Sequence, residues 1–208
     1  MTDAGAPATL RHLELDLEDA SKQYAHPTWW IEDGARLTLG RRTVKALATP
    51  GHTRGHMCFA DDANGLLFAG DHVLPHITPS IGFETVQSHL PLGDYLDSLR
   101  RVRSRADAVL LPAHGPSGAN VHARVDELLS HHEERLRRCG DAVASGALTA
   151  YEVATRLPWT RRERALPDLA PFYQVMAVRE TVAHLDVLCV QGRLTCVEHE
   201  GGFRYRVA

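Results

Sequence analysis

The chain has 208 residues, 44% of them hydrophobic and 24% charged, with a net charge of −3. That balance belongs to an ordinary globular chain of one medium domain, or one domain with a small appendage. It offers no general electrostatic attraction to nucleic acid or to an anionic membrane, and no apolar run reaches the length needed to span a bilayer.

The four cysteines (Cys58, Cys139, Cys189, Cys196) are scattered and form no C-x-x-C pair, which argues against disulfides and a structural zinc knot. The opening MTDAGAPATL has no basic segment followed by an apolar one, so it does not read as a secretory signal, and a cytoplasmic protein is expected. Histidine is the unusual count, at thirteen, and directs attention to metal or acid–base chemistry.

Residues 1–28 read as an irregular N-terminal segment, with a weak helical pattern around Glu14–Tyr24. Ala35–Leu39 alternates as a strand does, Gly40-Arg41 supplies a turn, and Thr43–Ala48 returns as a second strand. The chain breaks at Thr49-Pro-Gly-His-Thr-Arg-Gly-His56. Met57–Ala60 and Leu66–Ala69 then read as strands joined by a tight turn at 61–65, the second ending at Gly70-Asp71-His72. Tyr95, Leu96, Leu99 and Val102 fall at helical spacing, which predicts a helix over 94–102. Ala108–Leu111 is a short buried strand closed by Pro112-Ala-His-Gly115. A helix follows from an Asn120 N-cap to Arg138, with Val121, Val125, Leu128, Leu129 and Leu136 on one stripe. Further helices are predicted over 151–157 and 172–189, and a hairpin pairs Arg193–Val197 with Phe203–Val207. Helix, helix, hairpin is the outline of a winged helix.

Three positions share one local design. His52, Asp71 and His114 each stand just past a short apolar strand, beside glycine. A lone histidine there is ordinarily a packed core residue, and an Asp after Gly is ordinarily a turn former. Three in succession with the same placement point instead to loops converging on a rigid floor, as ligand sites do. Imidazole and carboxylate are also the donors that zinc prefers.

The strings T-P-G-H-T-x-G-H at Thr49–His56, G-D-H at Gly70–His72 and P-A-H-G at Pro112–Gly115 resemble the downstream motifs of the metallo-β-lactamase-fold hydrolases, in order and spacing. Gly70–Pro75, Thr78-Pro79 and Glu180–Asp186 resemble the branch with a C-terminal winged-helix-like extension. The resemblance implies an α/β fold: the C-terminal half of an αββα sandwich over 29–118, then a helical linker and winged-helix-like domain over 119–208. It implies His52 as a ligand of one zinc, His114 of a second, and Asp71 bridging them. The nucleophile would be water held by that site. His56 and His72 would support the ligands or face substrate.

The family's other signature, H-x-H-x-D-H, does not occur among the fifty-one residues before His52. Its nearest echo, His12-x-Glu14-x-Asp16, swaps the second ligand and lacks the fourth. Three ligands over two ions leave each ion short, so one weakly bound zinc, or none, is expected in this chain. The sheet would also expose an edge and an apolar face, which a second copy or another polypeptide would cover.

The leading expectation is a metal-dependent hydrolase acting on an ester, thioester or phosphodiester. The alternatives are a shortened or non-catalytic member that needs a partner chain, and a single-stranded RNA endonuclease gripping RNA with its wing. From Gly140 onward eight Arg stand against eight Asp plus Glu, and that neutrality disfavours nucleic acid as a partner. His122, His131 and His132 are expected to be solvated, and His184 packed.

Overall fold

The computed structural model describes residues 4–7, 27–82, 84, 88–199 and 202–208. The helical pattern expected around Glu14–Tyr24 and the His12-x-Glu14-x-Asp16 string lie outside them. The chain divides into two compact units, one within residues 17–131 and the other of 132–208 with 1–16.

The first unit is built on a five-stranded sheet of order β1-β2-β3-β4-β5. Its strands are β1 (Arg36–Leu39), β2 (Arg42–Ala48), β3 (Met57–Asp61), β4 (Leu66–Gly70) and β5 (Val109–Pro112). The first four are antiparallel, and β5 runs parallel to β4 after a helical crossover. The register aligns Ala46 with Phe59, Phe59 with Phe68 and Phe68 with Leu111, so the alternate residues Leu47, Cys58, Leu67 and Leu110 share the other face. That second face is buried and forms the core. The first face is apolar too, yet Phe68 is 43% exposed and Val109 42%.

Helix α1 (Pro91–Arg103) begins at a proline on its first turn and buries Leu92, Tyr95, Leu96, Leu99 and Val102. It is fastened over the end of β2, because Ser98 Oγ donates to the Pro50 carbonyl at 2.8 Å and Arg101 to that of Ala48 at 3.2 Å. Arg101 also meets both oxygens of Asp33.

Helix α2 (Val121–Ala144) starts at Asn120, whose Oδ1 accepts the Ala123 N–H at 2.8 Å, the expected cap. It runs six residues past the predicted end at Arg138. Cys139, Ala142 and Val143 are buried and continue its apolar stripe, and Gly146 (φ +91°), just beyond its end, takes a left-handed turn. The same stripe carries His132. Expected in solvent, it is 1% exposed, because it stands four residues from both Leu128 and Leu136.

In the second unit, α3 (Ala150–Thr155) and α4 (Pro171–Val190) accompany the antiparallel hairpin β6 (Leu194–His199) and β7 (Gly202–Val207). A full capping box starts α3: Thr149 Oγ1 accepts the Glu152 N–H while Glu152 accepts the Thr149 N–H. Helix α4 is buried nearly all round, and its polar Thr181 and His184 donate to the carbonyls of Ala177 and Glu180, one turn back. All four cysteines are free, with Cys58 and Cys139 buried. No helix among the described residues is long and apolar enough to cross a membrane.

Candidate metal centre

His52, Asp71 and His114 meet at one end of the sheet. Each is delivered by a strand that stops at a residue able to turn sharply. His52 lies in the loop after β2, which folds back on itself through Thr49 N–H to His56 O at 2.9 Å and Gly51 N–H to Thr53 O at 3.1 Å. Gly51 has φ +140°, and a Cβ there would lie 2.4 Å from Tyr95, so only glycine lets the loop sit this close to α1.

Asp71 follows β4 in a tight turn closed by the His72 N–H to the Ala69 carbonyl at 3.0 Å, with Gly70 at φ +53°. His114 follows β5, where the Ala113 N–H bonds the Gly70 carbonyl at 2.9 Å and ties this turn to the previous one.

The carboxylate of Asp71 presents one oxygen to each imidazole. His52 Nε2 lies 4.0 Å from Oδ2 and His114 Nε2 lies 3.4 Å from Oδ1. The tautomer of His52 is determined. Its Nδ1 is 2.8 Å from the Ser80 carbonyl, which can only accept, so in the neutral ring Nε2 carries a bare lone pair toward the carboxylate. Two acceptors facing one another are bridged by a cation, by a proton on one of them, or by a water that donates to both. Ligand bonds of about 2.0–2.2 Å at a tetrahedral angle put two donor atoms about 3.3–3.6 Å apart, which His114 and Asp71 match. His52 and Asp71 are a few tenths of an ångström wider.

Among the described residues, no group of three or more His, Cys, Asp or Glu side chains is set to hold a metal ion. The residues present therefore fit a divalent metal in part: one imidazole and one carboxylate oxygen for each of two positions, where a catalytic zinc ordinarily has three protein ligands.

His56 and His72 sit behind the three. Nδ1 of His56 is 2.8 Å from Thr49 Oγ1, and its Nε2 accepts the Asp71 N–H at 3.2 Å. Burial lowers its pKa, with His52 adding to the effect and Asp71 opposing it. His72 is wholly buried, its ring 5.9 Å from that of His56 and 5.1 Å edge-on to Tyr95. Burial pushes its pKa down to about 3, so it is a neutral packed ring that faces no solvent. Sequence reasoning did not single out Ser80, Glu84 or Ser88. Glu84 accepts the Arg54 N–H at 2.8 Å, and with Ser88 it lines a narrow cleft beside His52. None of these three carries a motif signal; they become visible only once the fold sets Ser80, Glu84 and Ser88 beside the loop that carries His52.

A sequence profile of the metallo-beta-lactamase superfamily matches residues 4–114, more than half of the chain. The chain belongs to that superfamily. It is 36% identical over 148 residues to the lactamase-like protein nscB of Trichophyton rubrum, covering 71% of this chain and 41% of that protein. It is 40% identical over 107 residues to the nscB of Arthroderma gypseum, covering 51% and 32%. Among solved structures, a beta-lactamase domain protein from Burkholderia ambifaria matches with a TM-score of 0.81 and 28% identity, over 99% of this chain and 61% of that one. A metallo-beta-lactamase family protein from Thermus thermophilus matches at 0.76 and 27%, over 99% and 62%. The expected family and the mixed α/β architecture are thus both found. The chain spans a third to two fifths of the length of these two curated relatives, and about three fifths of these two solved chains.

Proposed function

We propose that this chain carries half of a two-metal hydrolytic site, with His52 and His114 each donating to a separate divalent ion and Asp71 donating to both. The observation that carries the reading is the single carboxylate facing two imidazoles with different oxygens, next to a His52 ring whose ligating nitrogen is held bare by Ser80. A pair of such ions, when bound, supplies Lewis acidity and a water acidic enough to ionise near neutral pH.

The residues themselves orient and hold. Ser80 sets the His52 ring, His56 holds the backbone of Asp71, and the glycines at 51 and 70 allow the close approach. An ester, thioester or phosphodiester fits this chemistry, since each presents an electrophilic centre with an oxygen to polarise. The test is a hydrolysis panel of those three classes, with the chain dialysed against chelator and then resupplied with zinc. Zinc-dependent turnover that Asp71→Ala abolishes is expected; turnover that survives Asp71→Ala overturns the assignment.

A second reading has its own observation. The outer face of the sheet carries Phe59, Phe68, Leu66, Val109 and Leu111, and the β1 edge carries Leu39 at 61% exposure. An apolar face of this kind fits a second polypeptide layer, from another chain or a second copy. Under this reading the isolated chain shows no turnover and sediments as an oligomer, and Phe68→Glu returns it to monomer. A monomer before substitution counts against self-association.

A further inference from the structure

His56 was left with two roles by the sequence, supporting a ligand or facing substrate. The hydrogen bonds around it select one, and they involve Thr49 and Cys58, to which no role was assigned.

Donor and acceptor roles can be assigned by elimination. The Asp71 N–H can only donate, so His56 Nε2, 3.2 Å away, accepts and carries no proton. The neutral ring then bears its proton on Nδ1, which donates to Thr49 Oγ1 at 2.8 Å. Having accepted that bond, the Thr49 hydroxyl is free to donate its own proton, and Cys58 Sγ lies 3.4 Å away, with the His56 carbonyl a weaker second choice at 3.5 Å. Cys58 is an unionised thiol, pushed up to about 12 by burial, and its S–H lies 3.5 Å from the Ala69 carbonyl.

Every link thus runs the same way, from Asp71 through His56, Thr49 and Cys58 to Ala69. The chain of bonds leaves the turn after β4 at the amide of Asp71 and returns to β4 at the carbonyl of Ala69, two residues earlier. That carbonyl also accepts the His72 N–H that closes the turn. Thr49 and Cys58 are wholly buried, so no water competes for their bonds. Gly70, between the two anchor points, lets the ring in: a Cβ there would stand 2.6 Å from His56 Nε2.

We propose that Cys58, Thr49 and His56 form a one-directional hydrogen-bonded clamp that fixes the turn carrying Asp71, making His56 a positioning residue rather than a metal ligand or a substrate contact. This rests on the proposed role of Asp71 only for its consequence, metal affinity; the clamp itself is a property of the metal-free chain. Bonds aligned in one direction polarise each other, so removing any member weakens the rest. Partners that orient a ligand in this way typically contribute about 10–100-fold to metal affinity.

The test has two arms. In the metal-free chain, 15N–1H correlation of the His56 ring is expected to show the proton on Nδ1 with Nε2 bare. A proton on Nε2 overturns the clamp, because the direction of every bond follows from this one. In the second arm, zinc titration of the chain is expected to lose about 10–100-fold in affinity with Thr49→Val, which keeps shape and removes the hydroxyl, and to recover with Thr49→Ser. Cys58→Ser retains a donor and an acceptor and should bind like the parent, while Cys58→Ala should not. Equal affinity for Thr49→Val and parent, both folded by circular dichroism, overturns the positioning role. A parent chain that binds no zinc contradicts the metal reading instead, and the ring tautomer still decides the clamp.

Discussion

Asp186 shows how burial alone sets a proton's affinity in this chain. It lies on α4, and desolvation pushes its carboxyl up to about 6 from an ordinary 3.8. The folded chain therefore holds a proton there that the unfolded chain releases, so this residue's contribution to stability falls as pH rises from 3.8 to 6 and stays low above that. Asp186→Asn should raise stability at pH 7.5 by about 1–2 kcal/mol, the half-buried side chain tempering the full 1.4 kcal/mol per pH unit. The gain should shrink toward zero at pH 4. Thermal melts of parent and variant at both pH values check this, and an equal gain at both would contradict it.

Reactivity at the thiols follows the same physics. Burial pushes Cys58 and Cys139 each up to about 12, whereas Cys196 is exposed. Iodoacetamide on the native chain should label Cys196 and leave Cys58 and Cys139 unmodified until denaturant is added, as read by peptide mass spectrometry.

At the level of elements, the close approaches matter more than the propensities. The loop after β2 touches α1 where Gly51 has no side chain. Gly51→Ala should destabilise the chain by more than about 2 kcal/mol, both for the positive φ and for the overlap with Tyr95. Helix α3 has six residues and depends on its start; losing the Thr149 hydroxyl in Thr149→Ala should cost about 1 kcal/mol. Urea titrations of both variants give these numbers directly, and a Gly51→Ala protein as stable as the parent would refute the packing argument.

The strands were legible because their apolar residues alternate, as in β1, or form short apolar runs, as in β4 and β5, that stop at Gly or Pro. The start of α1 was not, since its N-cap Leu90 makes no side-chain cap and the signal is Pro91 alone. The end of α2 was hidden by Gly140, which lies inside the helix with the Arg193 guanidinium 3.8 Å from where a Cβ would stand. His132 could have been placed in the core from its spacing to Leu128 and Leu136, had position been weighed above residue type.

Over the whole molecule, the meeting of His52, Asp71 and His114 was readable because each is a strand end marked by glycine, and strand order then brings them together. The residues that orient them were not readable. Ser80 reaches His52 across twenty-eight residues through a backbone carbonyl, which has no side-chain signature, and Thr49 and Cys58 look in sequence like an ordinary turn residue and a core thiol.

The central claim is that Asp71 holds metal between His52 and His114, and zinc titration of the purified chain by calorimetry tests it most directly. Binding of one to two zinc ions, weaker than a complete three-ligand site would give, is predicted, and Asp71→Ala should remove it. Unchanged binding in Asp71→Ala, or no zinc bound by the folded parent chain at millimolar metal, would contradict it.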